Sequence, residues 1–533
     1  MLLQLPKLST VGASAAMVLK LSIACWVVLA VACVFVMTLG TDEAWVLNGL
    51  RSSLHAPIEH LSTELIVTSG GPFALANLVV EWLAGSRVWL HRLVSLACLG
   101  FSFVLILTSQ RGKPAPRAAT WLMLAPLMAV PGAAEVGTAA LGTAMGLCLM
   151  LSAMTVWAAP QLSPVWRVIS GGLLYGLAAS ARFDLVLFGP ALLLASCLRG
   201  ASSGRLEVRL NLPAWAFVGI GLLVFLLNQW VMGLPANAML PAEVGASTGI
   251  EGWSLNYPKQ LNQWFTLTTF APVSLLAAMA VSAFWWVEAP AAPAHADVPR
   301  LESLLLAAGL VLLAAWLVRA PIPHLRYAFP ALFCFAALGA LGLRQAVVLS
   351  LANGSSRKFL LCQCVGLACL IGSIGTTARS LVMADSDYAS WEWTHEIPFD
   401  YFRRFEAKQH QTDVAAFLRT EIPADARLYS YVPYALRYLT MRPVVAIDRA
   451  PAAVAKSPHS SRYLVLTPGV GTYFYMRPAT ADWIRANAPL VKQIGRYSIY
   501  KLPDGTDADL VNLALSRTNY ENHPNSQLWF GRH

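Results

Sequence analysis

Charge is the scarce ingredient of this chain. Asp, Glu, Lys and Arg make up only 12% of its 533 residues, against 57% hydrophobic residues and a mean hydropathy of +0.56. A water-soluble body of this length would carry about twice that share of charge, so the composition excludes one and defines a polytopic membrane protein. The net charge of +10 is spread through short loops and not gathered on one face, so no nucleic-acid partner is expected. No GxGxxG, Walker or HExxH motif occurs, which argues against an ATP-driven pump. All nine cysteines lie in apolar runs, and the Cys362/Cys364 spacing fits neither a zinc finger nor a redox motif, so they are read as packing residues. The chain after Ala384 has no cysteine and must fold without disulfides. The first apolar run lacks the small-residue cleavage site of a secretory leader and is read as a retained span.

What the sequence has in abundance is long apolar windows. They predict about eleven membrane helices, near 18–40, 92–110, 118–134, 137–158, 167–181, 183–198, 213–233, 264–287, 301–319, 327–345 and 359–383. With the N-terminus in the cytoplasm, Lys7, Lys20, Arg111, Lys113, Arg117, Arg167, Arg199, Arg205, Arg209, Arg300, Arg344, Arg357 and Lys358 all fall inside, as the positive-inside rule asks. The expected location is the inner (cytoplasmic) membrane, with the C-terminus outside the cytoplasm. The expected fold is therefore an α-helical polytopic bundle, residues 1–383, followed by an extracytoplasmic soluble α/β domain, residues 384–533. In that tail Thr412 to Ile422, Tyr434 to Leu439 and Ala479 to Ala488 read as helices. Arg427 to Val432, Pro443 to Ile447, Tyr463 to Thr467 and Tyr497 to Leu502 read as short strands rich in Val, Ile and Tyr.

The topology isolates the charges that disobey it, and they share the outer side. Asp42 and Glu43 follow the first span directly. Arg182 and Asp184 sit in the turn after the fifth, and Arg319, His324, Arg326 and Tyr327 surround the turn before the tenth. Each has a bland reading, since an arginine near a helix end often snorkels to the headgroups and a carboxylate there can simply mark the interface. Ionisable groups at membrane depth are nevertheless costly, and here three distant turns supply carboxylates and guanidinium groups at one depth. The first outer loop, 41–91, reads as helices lying in the interface plane, with Trp45, Leu47, Leu50 and Leu54 along one face and a break at Gly70-Gly71-Pro72. His55 with Glu59, and His60 with Glu64, have metal-compatible spacing, but a surface His–Glu contact is the commoner outcome. Glu251 lies in the long outer loop 233–263, which is either an ordered cover over a cleft or an inert surface loop.

A carboxylate beside arginines at the outer face suits transfer of a group from a lipid phosphate. A phosphate leaving group needs cations more than it needs a general acid, and the arginine fork matches phosphate oxygens. The attacking hydroxyl needs a base, which an aspartate within hydrogen-bond reach supplies. Adjacent helical residues point about 100° apart, so Asp42 and Glu43 take different roles.

Several short motifs share one family likeness: Asp42-Glu43-Ala44-Trp45, Gly71-Pro72, Arg92-Leu93-Val94-Ser95, Gly176 to Arg182, His324-Leu325-Arg326-Tyr327 with Pro330, Arg437 to Thr440, and Tyr497 to Tyr500. The layout resembles the GT-C superfamily of polyprenyl-phosphate-sugar-dependent glycosyltransferases, in the branch of protein O-mannosyltransferases and the lipid A aminoarabinose transferase. The resemblance implies inverting sugar transfer outside the membrane, from a polyprenyl-phosphate-linked sugar donor to an extracytoplasmic acceptor. Asp42, with Glu43, is the implied catalytic pair. Arg326, Arg182, Arg319 and His324 are the implied phosphate ligands, and Asp184, Tyr327 and Glu251 the implied cleft residues. No cofactor is implied, and a divalent metal is not favoured. The family's tyrosines after the acidic pair are missing here. Two rivals stand beside the enzyme: a transporter or flippase for a lipid-linked sugar, which should show repeated halves and midplane charges, and a non-catalytic membrane scaffold with an outer binding domain.

Overall fold

The computed structural model describes residues 8–36, 41–55, 70–85, 87–109, 117–130, 133–200, 206–208, 211–231, 300–319, 325–382, 405–430, 433–446, 461–466, 484, 487–495 and 497–502. The chain divides into two compact units, one of residues 1–35 and 53–379, the other of residues 36–52 and 380–533.

The first unit is helical: α1 (Leu8–Val36), then, after the second unit's claim on residues 36–52, α3 (Gly71–Ala84), α4 (Val88–Thr108), α5 (Arg117–Met128), α6 (Ala133–Thr138), α7 (Gly142–Trp157) and α8 (Pro164–Ala181). A 3-10 turn (Phe183–Leu187) leads into α9 (Phe188–Cys197), a two-stranded hairpin β1–β2 (Leu198–Gly200, Leu206–Val208) and α10 (Leu212–Val231). The unit continues with α11 (Leu301–Arg319), α12 (Leu325–Ala352) and α13 (Ser356–Val382). Among the described residues five helices are long and apolar enough to cross a membrane: Met17–Phe35, Val88–Thr108, Leu212–Val231, Ala328–Ala352 and Arg357–Gly375. The expected span at 264–287 lies outside the described residues.

The exposed surfaces of these helices are those of a lipid-facing body. On α10 the exposed side chains include Trp215, Leu223, Leu226, Leu227 and Trp230, apolar groups that only a hydrocarbon surround leaves at no cost. Its opposite side meets α8 through small residues. A Cβ on Gly176 would lie 2.6 Å from the Gly221 carbonyl oxygen, and one on Gly221 would lie 2.1 Å from the Tyr175 ring. Gly172 and Gly176 form a G-x-x-x-G step, the spacing that lets membrane helices approach closely where no hydrophobic effect separates protein from lipid.

The second unit contains α2 (Thr41–His55, through Ser52) and the described chain after residue 404: α14 (Phe405–Thr420), β3 (Arg427–Ser430), α15 (Pro433–Thr440), β4 (Val444–Ala446), β5 (Arg462–Leu466), β6 (Leu490–Ile494) and β7 (Tyr497–Leu502). The sheet order is β4-β3-β5-β7-β6. β3 pairs in parallel with β4 and β5, and α15 is the crossover between β3 and β4, while β7 runs antiparallel to β5 and β6. Val414 and Leu418 of α14 and Leu436 of α15 close one sheet face, over Leu428, Val444, Tyr463, Val465, Tyr497 and Ile499. Strand β6 was not expected from the sequence. Its residues 490–493 are exposed and include Lys and Gln, so it is an edge strand without the alternation that marks a half-buried one.

Arg442 closes the end of α14. Its guanidinium donates to the carbonyls of Leu418, Ile422 and Ala426, the latter two at 3.0 and 3.1 Å. The last carbonyls of a helix have no intrahelical donor, and a cation there also meets the negative end of the helix dipole. Arg92 does the same for α1. It is 1% exposed, and its Nη1 donates to the Val34 carbonyl at 3.3 Å.

Candidate active site

The acidic pair lies in the first turn of α2. A helix N-terminus presents unpaired N–H groups and the positive end of the dipole, so two carboxylates are well placed there. Glu43 is fully buried, as are Ala44, Val46, Leu47 and Leu50, and Asn48 is 5% exposed. The helix position of Asp42 is described; its side chain is not.

The structure brings Arg182 and Asp184 together. Arg182 ends α8, its backbone N–H still bonded to the Ala178 carbonyl, and Asp184 stands in the first turn of the 3-10 segment. Arg182 Nε donates to Asp184 Oδ1 at 2.7 Å and to Oδ2 at 2.9 Å, and Nη1 donates to Thr143 Oγ1 of α7. The arginine side chain is 8% exposed and the aspartate 31%, so the carboxylate is the wet member of the pair. Gly146 makes room for the arrangement, since a Cβ there would meet Arg182 Cβ at 3.0 Å and Leu185 Cδ1 at 2.8 Å. Gly71, at φ +52°, opens α3 beside the same turn. A Cβ on it would lie 2.8 Å from Ser180 Cβ and 3.1 Å from Asn228 Oδ1.

Of the remaining expected site residues, Arg319 ends α11 and Arg326 and Tyr327 begin α12. The side chains of these three are not described, and His324 and Glu251 lie outside the described residues. Helix α11 packs against the 3-10 turn and α9. Among the described residues no group of three His, Cys, Asp or Glu side chains gathers to hold a metal. His60, Glu59 and Glu64 lie outside those residues.

A buried polar cluster escaped the sequence reading. His91 Nδ1 is 2.8 Å from Asn77 Oδ1, and His91 Nε2 is 3.0 Å from Glu81 Oε2, with His91 and Asn77 fully buried and Glu81 6% exposed. Asn77 Nδ2 donates to the Phe73 carbonyl, so Asn77 Oδ1 is an acceptor and His91 Nδ1 carries a hydrogen. Helix α3 is thus turned inside out. Leu75, Val79, Trp82 and Leu83 are exposed while Asn77 and Glu81 face inward. The signal was present as two polar residues four apart in an otherwise apolar helix.

Comparison with solved structures finds a similar fold in ArnT, a GT-C glycosyltransferase. ArnT from Cupriavidus metallidurans bound to undecaprenyl phosphate aligns with a TM-score of 0.56 at 13% identity, covering 90% of this chain and 97% of that one. ArnT, a lipid A aminoarabinose transferase, aligns in its apo state over the same shares at 13% identity with a TM-score of 0.50. The archaeal oligosaccharyltransferase AglB from Archaeoglobus fulgidus, in complex with an inhibitory peptide and a dolichol-phosphate, gives 0.45 at 11% identity over 84% of this chain and 69% of that one. No protein-family model matches the chain, and no curated protein matches it.

Proposed function

We propose that this protein is an integral-membrane inverting glycosyltransferase that moves a sugar from a polyprenyl-phosphate donor to an acceptor outside the cytoplasm. One observation carries the reading. In a GT-C fold, a carboxylate pair opens the helix that follows the first membrane helix, and Glu43 of that pair is buried where charge must be put to use. The support from ArnT is the fold, together with the undecaprenyl phosphate bound in that structure.

In this reading an acceptor hydroxyl attacks the anomeric carbon of the donor sugar, and the bond from that carbon to the phosphate oxygen breaks. The polyprenyl phosphate leaves with the bonding pair, and the hydroxyl proton passes to Asp42. Glu43 holds Asp42 and the acceptor in place. Arg182, Arg319, Arg326 and His324 receive the phosphate charge, with Asp184, Tyr327 and Glu251 lining the cleft. The reading includes about eleven spans, an N-terminus inside, and residues 384–533 as an extracytoplasmic α/β domain; no metal is required. Reporter fusions at Gly354 and Asp504 should read inside and outside respectively, and the reverse pattern would overturn the site.

The decisive experiment is mass spectrometry of polyprenyl-phosphate sugars and envelope glycans in cells with and without the protein, with the leaflet of the donor read by a membrane-impermeant sugar oxidant. A transferase leaves its donor lipid accumulated and one glycan short of a sugar. A flippase leaves the donor trapped on the cytoplasmic leaflet, and a scaffold changes neither pool.

A further inference from the structure

Helix α2 is built into the second unit by contacts between residues almost 390 positions apart. Asn48 Nδ2 donates to the Tyr434 carbonyl at 2.8 Å, and to the Ala44 carbonyl of its own helix at 2.8 Å. Arg51 Nη1 donates to the Tyr438 carbonyl at 2.9 Å, and the Arg51 guanidinium carbon stands 3.9 Å from the centre of the Tyr438 ring. Tyr438 is fully buried and Asn48 nearly so.

The spacing on both sides gives these contacts a purpose. Asn48 and Arg51 are three residues apart and share one face of α2, while Tyr434 and Tyr438 are four apart on α15. The Tyr438 carbonyl belongs to the last turn of α15, where the negative end of the helix dipole lies. The Arg51 cation therefore donates to that carbonyl, meets the negative end of the α15 dipole and stacks on an aromatic face at once. Packing of Ala44, Val46, Leu47 and Leu50 holds α2 in place but is not directional. Two points along one face fix both its rotation and its position along the axis.

We propose that Asn48 and Arg51 are positioning residues that clamp the acidic helix to α15, so that the sheet domain sets the orientation of Asp42 and Glu43. The proposal rests on the transferase reading for its consequence, though not for the clamp itself. A 10° turn about the helix axis moves a group about 6 Å from that axis by about 1 Å, and a misplacement of about 1 Å at a reacting group costs on the order of 10²-fold in rate. No residue of the clamp touches donor or acceptor in this scheme, so the effect falls on kcat.

The test uses the full-length protein in lipid nanodiscs, with Arg51→Met, Tyr438→Leu and Tyr438→Phe. Arg51→Met keeps the stem and removes charge and donors. Tyr438→Phe keeps the ring and the carbonyl that Arg51 uses. Amide hydrogen exchange should quicken across residues 41–55 in Arg51→Met and Tyr438→Leu, while strands β3, β5 and β7 stay protected. The same two variants should lose on the order of 10- to 100-fold in kcat with KM for the donor lipid unchanged, and Tyr438→Phe should restore most of both readouts. Unchanged exchange at 41–55 overturns the clamp, and so does loss of protection throughout the sheet, which would mark a folding role. Quickened exchange with unaltered kcat overturns the positioning role. Inactivity of the wild-type chain with donor lipid would count against the transferase reading alone, because the exchange measurement decides the clamp without turnover.

Discussion

Arg182 commits a single nitrogen, Nε, to both carboxylate oxygens of Asp184, and spends Nη1 on Thr143. A donor phosphate that uses this arginine has to compete with Asp184 for the same positive charge. That competition makes the assignment testable. Asp184→Asn should tighten binding of polyprenyl phosphate several-fold in a microscale binding assay, because an amide holds the guanidinium less strongly than a carboxylate does. Arg182→Lys should weaken it, since one ammonium cannot serve Asp184, Thr143 and a phosphate together. If neither variant changes the affinity, the pair is structural and Arg182 leaves the site.

The Asn77–His91–Glu81 cluster makes a second prediction, about stability. With Nδ1 of His91 bearing a hydrogen, Nε2 and Glu81 Oε2 must hold one further proton between them. Glu81→Gln preserves a donor for Nε2 and should cost under about 1 kcal/mol. Glu81→Ala strips the partner from a buried imidazole nitrogen and should cost about 2–4 kcal/mol. Thermal unfolding in detergent would separate the two, and equal melting temperatures would show that the cluster contributes nothing.

Arginine is the residue whose purpose the sequence conceals best. The place of the acidic pair, directly after a clean apolar span, was legible, though a carboxylate there can simply mark the interface, and most helix positions followed from apolar windows. The strand at Tyr497–Leu502 was legible too, from its Tyr and Ile residues, and the structure places it there. Arginines at helix ends were not. Arg92, Arg51 and Arg442 each satisfy a carbonyl at the end of a helix, and the one that Arg51 reaches on α15 lies hundreds of residues away in sequence. Nothing local distinguishes such an arginine from one that waits for a phosphate. The His–Glu contact between Glu81 and His91 was not legible either, because it joins residues ten apart across the turn at Gly85.

Helix α10 offers an internal control for the packing of the first unit. Gly176 on α8 faces the Gly221 carbonyl of α10, so Gly176→Ala drives a methyl group to 2.6 Å from backbone that cannot rotate away. The expected cost is about 1–3 kcal/mol from overpacking. Gly219, on α10 itself, has nothing within 4 Å of an added Cβ, and Gly219→Ala should be neutral or slightly stabilising through helix propensity. Folded yield by fluorescence-detected size exclusion would report both. Equal loss in the two variants would mean that glycine flexibility, and not close approach, is what the helices require.

The last prediction separates the two carboxylates. A general base contributes about 10²–10⁴-fold to rate, whereas a carboxylate that only serves a helix N-terminus contributes stability. Asp42→Asn keeps shape and hydrogen-bonding reach but accepts no proton at neutral pH. It should insert, melt at the wild-type temperature and bind donor lipid, yet transfer sugar at least about 10²-fold more slowly. Glu43 stands in a different setting, fully buried in the first turn of α2. Its replacement by Gln changes a buried hydrogen-bonding group, so a drop in melting temperature should accompany any loss of rate, at a cost of about 1–3 kcal/mol. The signatures are therefore opposite: rate without stability at 42, stability with rate at 43. Purified single and double variants, assayed with donor lipid supplied, would show it. Full transfer by Asp42→Asn would remove it as the base, and full transfer by the double variant would leave the pair as charges that do no more than start a helix.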